Sequence, residues 1–154
     1  MNIFVDADAC PVKDEIYRVA KRHEVSVVVV ANSHMRIPDE KHIRLEIVSD
    51  GFDAADDWIV EHAGPLDIVI TANIPLADRC LKNGAYVLGP TGRPFTEDNI
   101  GTAMVTRSMM ADLRDMGEVR GGPPPFQKKD RGIFLQELDS AIHAVKRKQK
   151  NRIK

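Results

Sequence analysis

Asp6 and Asp8 follow a short apolar run, Ile3-Phe4-Val5, with one residue between them. If the chain is still extended there, both side chains point to the same side. Two carboxylates brought close repel each other unless a cation or a proton sits between them. Hard divalent ions such as Mg²⁺ or Mn²⁺ take oxygen ligands of this kind. A helix opening at Pro11 would also favour a capping carboxylate, but one Asp satisfies that role. A second acidic cluster reads Asp50-Gly51-Phe52-Asp53-Ala54-Ala55-Asp56-Asp57. Helical spacing puts Asp53 one turn from both Asp56 and Asp57. Capping accounts for Asp50 or Asp53. It accounts poorly for Asp56, which shares an arc with Ile59, Val60 and Ala63 and needs a partner if that arc faces inward.

Weaker candidates surround these. The run Ile68-Val69-Ile70 ends in Thr71-Ala72-Asn73, polar groups that would lie beside Asp6 if the two strands are neighbours. Asn73 can ligate through its carbonyl oxygen but brings no charge. Asn32, His34 and Arg36 stand where a loop after a strand could reach a phosphate. Cys10, beside a helix amino terminus, has the setting of a nucleophile, but no His has an evident route to serve as its base. Gly89-Pro90-Thr91-Gly92-Arg93-Pro94 lacks the GK[ST] ending of a nucleotide-binding loop and reads as a turn.

The elements that must position these residues are short apolar runs alternating with amphipathic stretches, the signature of βα units on a mostly parallel sheet. Strands are expected at Ile3 to Val5, Val25 to Val30, Ile43 to Val48, Ile68 to Ile70 and Tyr86 to Leu88, the last of the series. The nearly all-valine second strand belongs in the sheet centre. The third, with Arg44 and Glu46 alternating outward, belongs at an edge. Helices are expected from Pro11, from about Asp53 to Ala63, from Leu76 to Leu81, and near 96–116 and 131–148. Gly121-Gly122-Pro123-Pro124-Pro125 must be a loop. In such sheets ligands collect outside the carboxyl ends of the strands, where strand order reverses.

Composition bounds the class. The 154 residues, 43% hydrophobic and 29% charged, fit one globular domain. No apolar run approaches the roughly 18 residues of a membrane span. The amino terminus enters a strand directly, with no secretory signal pattern. Two distant cysteines suggest no disulfide framework, so a cytoplasmic protein is expected. The formal net charge of −1 conceals an acidic excess of seven over residues 1–127 and a basic excess of six over 128–154. The basic tail from about 146 to 154 suits either a phosphate contact or a solvated helix end.

Val5-Asp6-Ala7-Asp8-Ala9-Cys10-Pro11, Gly51-Phe52-Asp53-Ala54-Ala55-Asp56, Thr71-Ala72-Asn73-Ile74-Pro75-Leu76-Ala77, Gly121-Gly122-Pro123 and Asp130-Arg131 occur in this order. Together they closely resemble the uncharacterised bacterial YaiI/YqxD protein family, which looks like a member of the PIN-like nuclease superfamily. The resemblance implies an α/β fold with a three-layer, doubly wound, mostly parallel sheet and C-terminal helices. It implies Mg²⁺ or Mn²⁺ bound by Asp6, Asp8, Asp53 and Asp56, with RNA as the partner cut. The family commonly has Asp where this chain has Asn73, a departure that implies weaker metal binding.

Three functions follow as expectations. The first is a metal-dependent ribonuclease, in which Asp6, Asp8 and Asp53 hold the metal and Asp56 orients water. Asn32, Arg36, Thr71, Asn73 and the basic tail would contact the RNA. No membrane is expected as a partner, and homo-oligomerisation is left open. The second is a catalytically weak or inactive module that binds RNA or a protein. The third is a phosphatase of the haloacid dehalogenase type, with Asp6 as nucleophile and Asp8 as general acid. Against that third reading, Asp56-Asp57 precedes Thr71 and so stands out of order for the motif.

Overall fold

The β-branched runs form the middle of a six-stranded sheet. The computed structural model describes residues 1–7, 10–49, 51, 53–115 and 126–153, with the backbone alone at 111, 112, 114, 115, 152 and 153. The expectations for Asp8, Asp50 and the Gly121 to Pro125 loop lie outside the described residues.

The chain begins with β1 (Asn2–Asp6), α1 (Lys13–His23), β2 (Ser26–Ala31), β3 (Ile43–Ile47) and α2 (Ala54–His62). It continues through β4 (Ile68–Ile70), α3 (Ile74–Lys82), β5 (Tyr86–Leu88), β6 (Pro94–Phe95), α4 (Glu97–Asp115) and α5 (Lys128–Ile153). The strand order is β3-β2-β1-β4-β5-β6, so the direction of winding reverses between β1 and β4. These two strands pair in parallel, Ile3 with Ile68 and Val5 with Ile70. β3 lies at the edge, as its outward charges predict.

Alternate residues of each strand feed opposite faces. Ile3, Val5, Val27, Val29, Ile68 and Ile70 pack with Ile16, Val19, Phe134, Leu138 and Ile142 of α1 and α5. Phe4, Val28, Val30, Val69 and Val87 pack with Ile59, Leu76, Ala77 and Cys80 of α2 and α3. Each fully buried aliphatic side chain is worth about 1.5–3 kcal/mol relative to exposure. Both faces are therefore driven to acquire helices.

Two expectations change. Tyr86–Leu88 is not the last strand, because Pro94–Phe95 pairs antiparallel with it. The intervening turn is closed by Gly89 N–H donating to Arg93 O at 2.9 Å. At Gly92, φ is +89°, and a Cβ would stand 2.7 Å from Ile133 Cγ2. Only glycine admits both that conformation and the approach of α5. The last helix, Lys128–Ile153, also runs further in both directions than 131–148, so the basic residues from Lys146 to Arg152 belong to it.

α5 lies alongside α1 in the same direction. Near its start, Arg131 donates to Pro11 O and to Glu15 Oε1, both at 2.9 Å, and stacks over the Phe126 ring. One face further along, Asp139 meets His23, and Lys146 donates to His23 O.

Candidate functional site

Asp6 ends β1 and Thr71 immediately follows β4, on either side of the point where strand order reverses. The Thr71 hydroxyl donates to Asp6 Oδ2 at 3.0 Å, and Asn73 N–H donates to Thr71 Oγ1 at 3.0 Å. Asp6 is 9% exposed and Thr71 2%. This relay of donors stabilises a carboxylate that burial would otherwise penalise. The Thr71 proton is thus directed to Asp6, so the expected substrate contact acts as a positioning group here. Asp6 does not cap α1. The cap position is Val12, with no side-chain hydrogen bond.

Asn73 caps α3. Its Oδ1 accepts from Leu76 N–H at 3.4 Å, and its Nδ2 donates to Asp56 Oδ2 at 3.1 Å. The amide spans two elements and links the inward carboxylate of α2 to the start of α3. The sequence identified Asp56 as needing a partner, but not Asn73 as a helix cap, although Asn before Ile-Pro is a recognisable start signal.

Asp53 occupies the cap position of α2 in the left-handed region, φ 62°, and its side chain makes no capping bond. The capping role offered for it is therefore not taken up by the carboxylate. A non-glycine residue with this backbone carries a modest strain, smallest for Asp and Asn. Asp57, one residue beyond Asp56, pairs with Arg79 at 2.9 Å. Asp57 is thus partnered by Arg79 while Asp56 accepts from Asn73, and of the two only Asp56 is among the described residues lining the acidic cavity.

A cavity of about 320 Å³ is lined by Asp6, Asn32, Asp53, Asp56 and Asn73, with Gly51, Ala54, Ala55 and Ala72. Five of the residues singled out from sequence meet there. Asn32 is itself anchored, donating through Nδ2 to Ser49 O at 2.8 Å. Arg36 is not among them. It lines a second cavity of about 410 Å³ with Lys13, Asp14, Tyr17, Ile37 and Pro38. That cavity lies between the start of α1 and the loop after β2, on the same carboxyl side of the sheet.

Cys10 is buried, and burial raises its thiol pKa above the ordinary value. A thiol held protonated is a poor nucleophile, which weighs against that reading. The Gly89 to Pro94 segment is the β5–β6 turn, as expected. None of the described tail residues lines the acidic cavity. α5 starts beside Pro11 and passes His23 by Lys146, so Lys146 lies toward the opposite end of the sheet from Asp6.

The family model described as the uncharacterized YaiI/YqxD family matches residues 4–144. The chain belongs to the YaiI/YqxD family. It is 63% identical over 146 residues to a UPF0178 protein of Sphingopyxis alaskensis, covering 94% of this chain and 95% of the relative. A UPF0178 protein of Bradyrhizobium sp. strain ORS 278 is 54% identical over 153 residues, with 99% and 93% coverage. One from Nitrobacter winogradskyi is 57% identical over 147 residues, with 96% and 94% coverage. No solved structure gives a significant match. Among the described residues, no helix is long and apolar enough to cross a membrane. YaiI/YqxD membership carries no reaction with it, so the chemistry rests on the cavity.

Proposed function

We propose that this YaiI/YqxD protein is a PIN-like, metal-dependent ribonuclease whose centre is the cavity at the β1/β4 switch point. One observation carries the reading: carboxylates from two separate parts of the chain, Asp6 and the Asp53/Asp56 pair, line a single cavity. The donor set fits Mg²⁺ or Mn²⁺, because among the described residues every polar lining side chain offers carboxylate or amide oxygen and none offers sulfur or imidazole. Asp6, Asp53 and Asp56 would hold the ion, with Asp8 joining them from the segment that follows Asp6. When bound, the ion supplies charge stabilisation for a phosphodiester under attack and acidifies water.

The chain's own residues do the rest. Thr71 fixes the Asp6 carboxylate, and Asn73 fixes Asp56, so neither group must reorganise as charge develops. Asn32 offers a polar contact at the cavity wall. Lys13 and Arg36 give the second cavity two cations suited to the RNA backbone on the same side of the sheet.

The test is cleavage of single-stranded RNA by purified protein with Mn²⁺ or Mg²⁺, and its loss in Asp6→Asn. Protein that stays inert toward several RNAs with both metals overturns the reading.

A second reading has one specific support, the Asn73 amide donating to Asp56 where an additional carboxylate would strengthen metal binding. It is an RNA- or partner-binding module without catalysis. RNA affinity that survives chelation, with no cleavage, selects it.

A further inference from the structure

On the other end of the sheet from Asp6, three ligand-bearing side chains converge from two helices. His23 closes α1 three residues before β2 begins, and Asp139 and His143 stand one turn apart on α5. His23 Nε2 lies 2.6 Å from Asp139 Oδ1, and His143 Nε2 lies 3.4 Å from Asp139 Oδ2. One ligand atom from each residue falls within 4.8 Å of the others. The two imidazoles meet edge to face, their centroids 5.1 Å apart.

We propose that His23, Asp139 and His143 form a binding site for a zinc-class divalent transition metal, with a fourth position open to water. Two neutral imidazole nitrogens and one carboxylate oxygen are a donor set that suits zinc with an open site. Mg²⁺ and Ca²⁺, which seek oxygen, are poorly served by it. Ligands about 2.0–2.2 Å from a tetrahedral ion stand roughly 3.3–3.6 Å apart. The His143–Asp139 spacing already meets that, while the short His23–Asp139 contact must open. His143 is half-exposed, with side-chain exposure of 54%, and has room to move.

The surrounding charges shape the site without filling it. Arg22 Nη2 holds Asp139 Oδ1 at 3.2 Å, leaving Oδ2 as the oxygen nearest His143. An outer partner of this kind orients a ligating carboxylate. Lys146 is tied to the His23 carbonyl rather than to the ligand atoms. In the metal-free protein Asp139 is held below the usual carboxylate range by the hydrogen bond from His23 first, with the charges of His23, His143 and Arg22 adding to it. Each imidazole binds as the neutral ring with its proton on Nδ1.

The experiment is titration of the full chain with ZnCl₂ by calorimetry, and with Co²⁺ by its visible absorption. One ion per chain is expected at this site, distinct from any ion held by the acidic cavity, with Co²⁺ giving the intense bands of a four-coordinate centre. His143→Gln, a change at an exposed position, should weaken affinity at least about tenfold, the lower end of what losing even an outer partner produces. His23→Gln should do the same, with helicity by circular dichroism confirming the fold. Asp6→Asn should leave zinc affinity unchanged, which separates this site from the acidic cavity. Affinity that is equal in His143→Gln, that falls only in Asp6→Asn, or that is absent altogether overturns the proposal.

Discussion

At the carboxyl end of the strands, the atoms facing the cavity are oxygens and amides of Asp6, Asn32, Asp53, Asp56 and Asn73. At the amino end, two imidazole nitrogens flank the single carboxylate of Asp139. The first set comes from strand ends and the loops after them, the second from two helices packed side by side. The contrast has a physical source. Parallel strands deliver their ends to one plane, so residues distant in sequence converge without long side chains. Helices α1 and α5 converge because Ile16, Val19, Leu138 and Ile142 bury together, and residues on their shared seam are carried along. One fold thus presents hard-ligand chemistry at one end and borderline-ligand chemistry at the other.

The largest effect should come from Asp6→Asn, which removes the most buried carboxylate of the cavity. RNA cleavage is expected to fall on the order of 1000-fold, about 4 kcal/mol of transition-state stabilisation. Initial rates with Mn²⁺ measure it. Equal rates in the variant would remove the carboxyl end from the comparison.

Next is Ile142→Ala on α5. Ile142 is fully buried between Asp139 and His143 in sequence, and its truncation should cost about 3 kcal/mol in urea unfolding. The folded variant should lose zinc affinity while keeping Mn²⁺ affinity, because only the amino end depends on that seam. Parallel losses of both metals would show that the two ends are not independent.

Asn73→Asp should raise Mn²⁺ affinity about tenfold, or roughly 1.4 kcal/mol. Without metal it should lower the melting temperature, since the new carboxylate would face Asp56 in place of a donated amide proton. Calorimetry with and without Mn²⁺ reads both. A variant that melts lower yet binds no better would turn Asn73 into a structural cap alone.

The smallest effect concerns neither set of metal-binding side chains. Burial pushes the Cys80 thiol up to about 11 and the Tyr17 hydroxyl up to about 12. Both folded groups hold their protons more tightly than the unfolded chain does. Their stabilisation is complete below the unfolded values near 9 and 10 and disappears as pH rises through the folded ones. The Cys80 contribution should cost about 1 kcal/mol by about pH 10. Denaturant midpoints across alkaline pH test the sign. Thiol reagents at neutral pH should label neither cysteine until the protein unfolds, and rapid labelling of the native chain would contradict it.

How much of this was legible in the sequence depends on the reach of each interaction. The valine run of β2 and the isoleucine-valine run of β4 announced themselves because strands buried on both faces are continuously apolar. The helix expected near 131–148 was visible by a different signal, the helical spacing of Phe134, Leu138, Ile142 and Val145. The strand β6 was not, since two residues beginning with proline have no periodicity and exist only by pairing across the Gly92 turn. At the cavity, Asp56 was marked by lying on an apolar arc. The bond from Asn73 depends on how α2 and α3 pack, which no local pattern records. The His23–Asp139–His143 group spans 120 positions, and only its Asp139–His143 half has a helical spacing to notice. Arg131, beside Asp130 in sequence, gave no hint that it would reach Pro11 and Glu15.

The left-handed backbone at Asp53 sets what this position of the cavity wall can become. Few residues accept that conformation at low cost: glycine, and after it asparagine and aspartate. Asp53→Asn therefore removes the charge while keeping the loop, and Asp53→Gly removes the side chain while relaxing it. Asp53→Glu keeps the charge and lengthens the side chain at a modest backbone cost, since Glu24 takes the same region at φ 56°. At this wall the protein can vary its charge more easily than its reach.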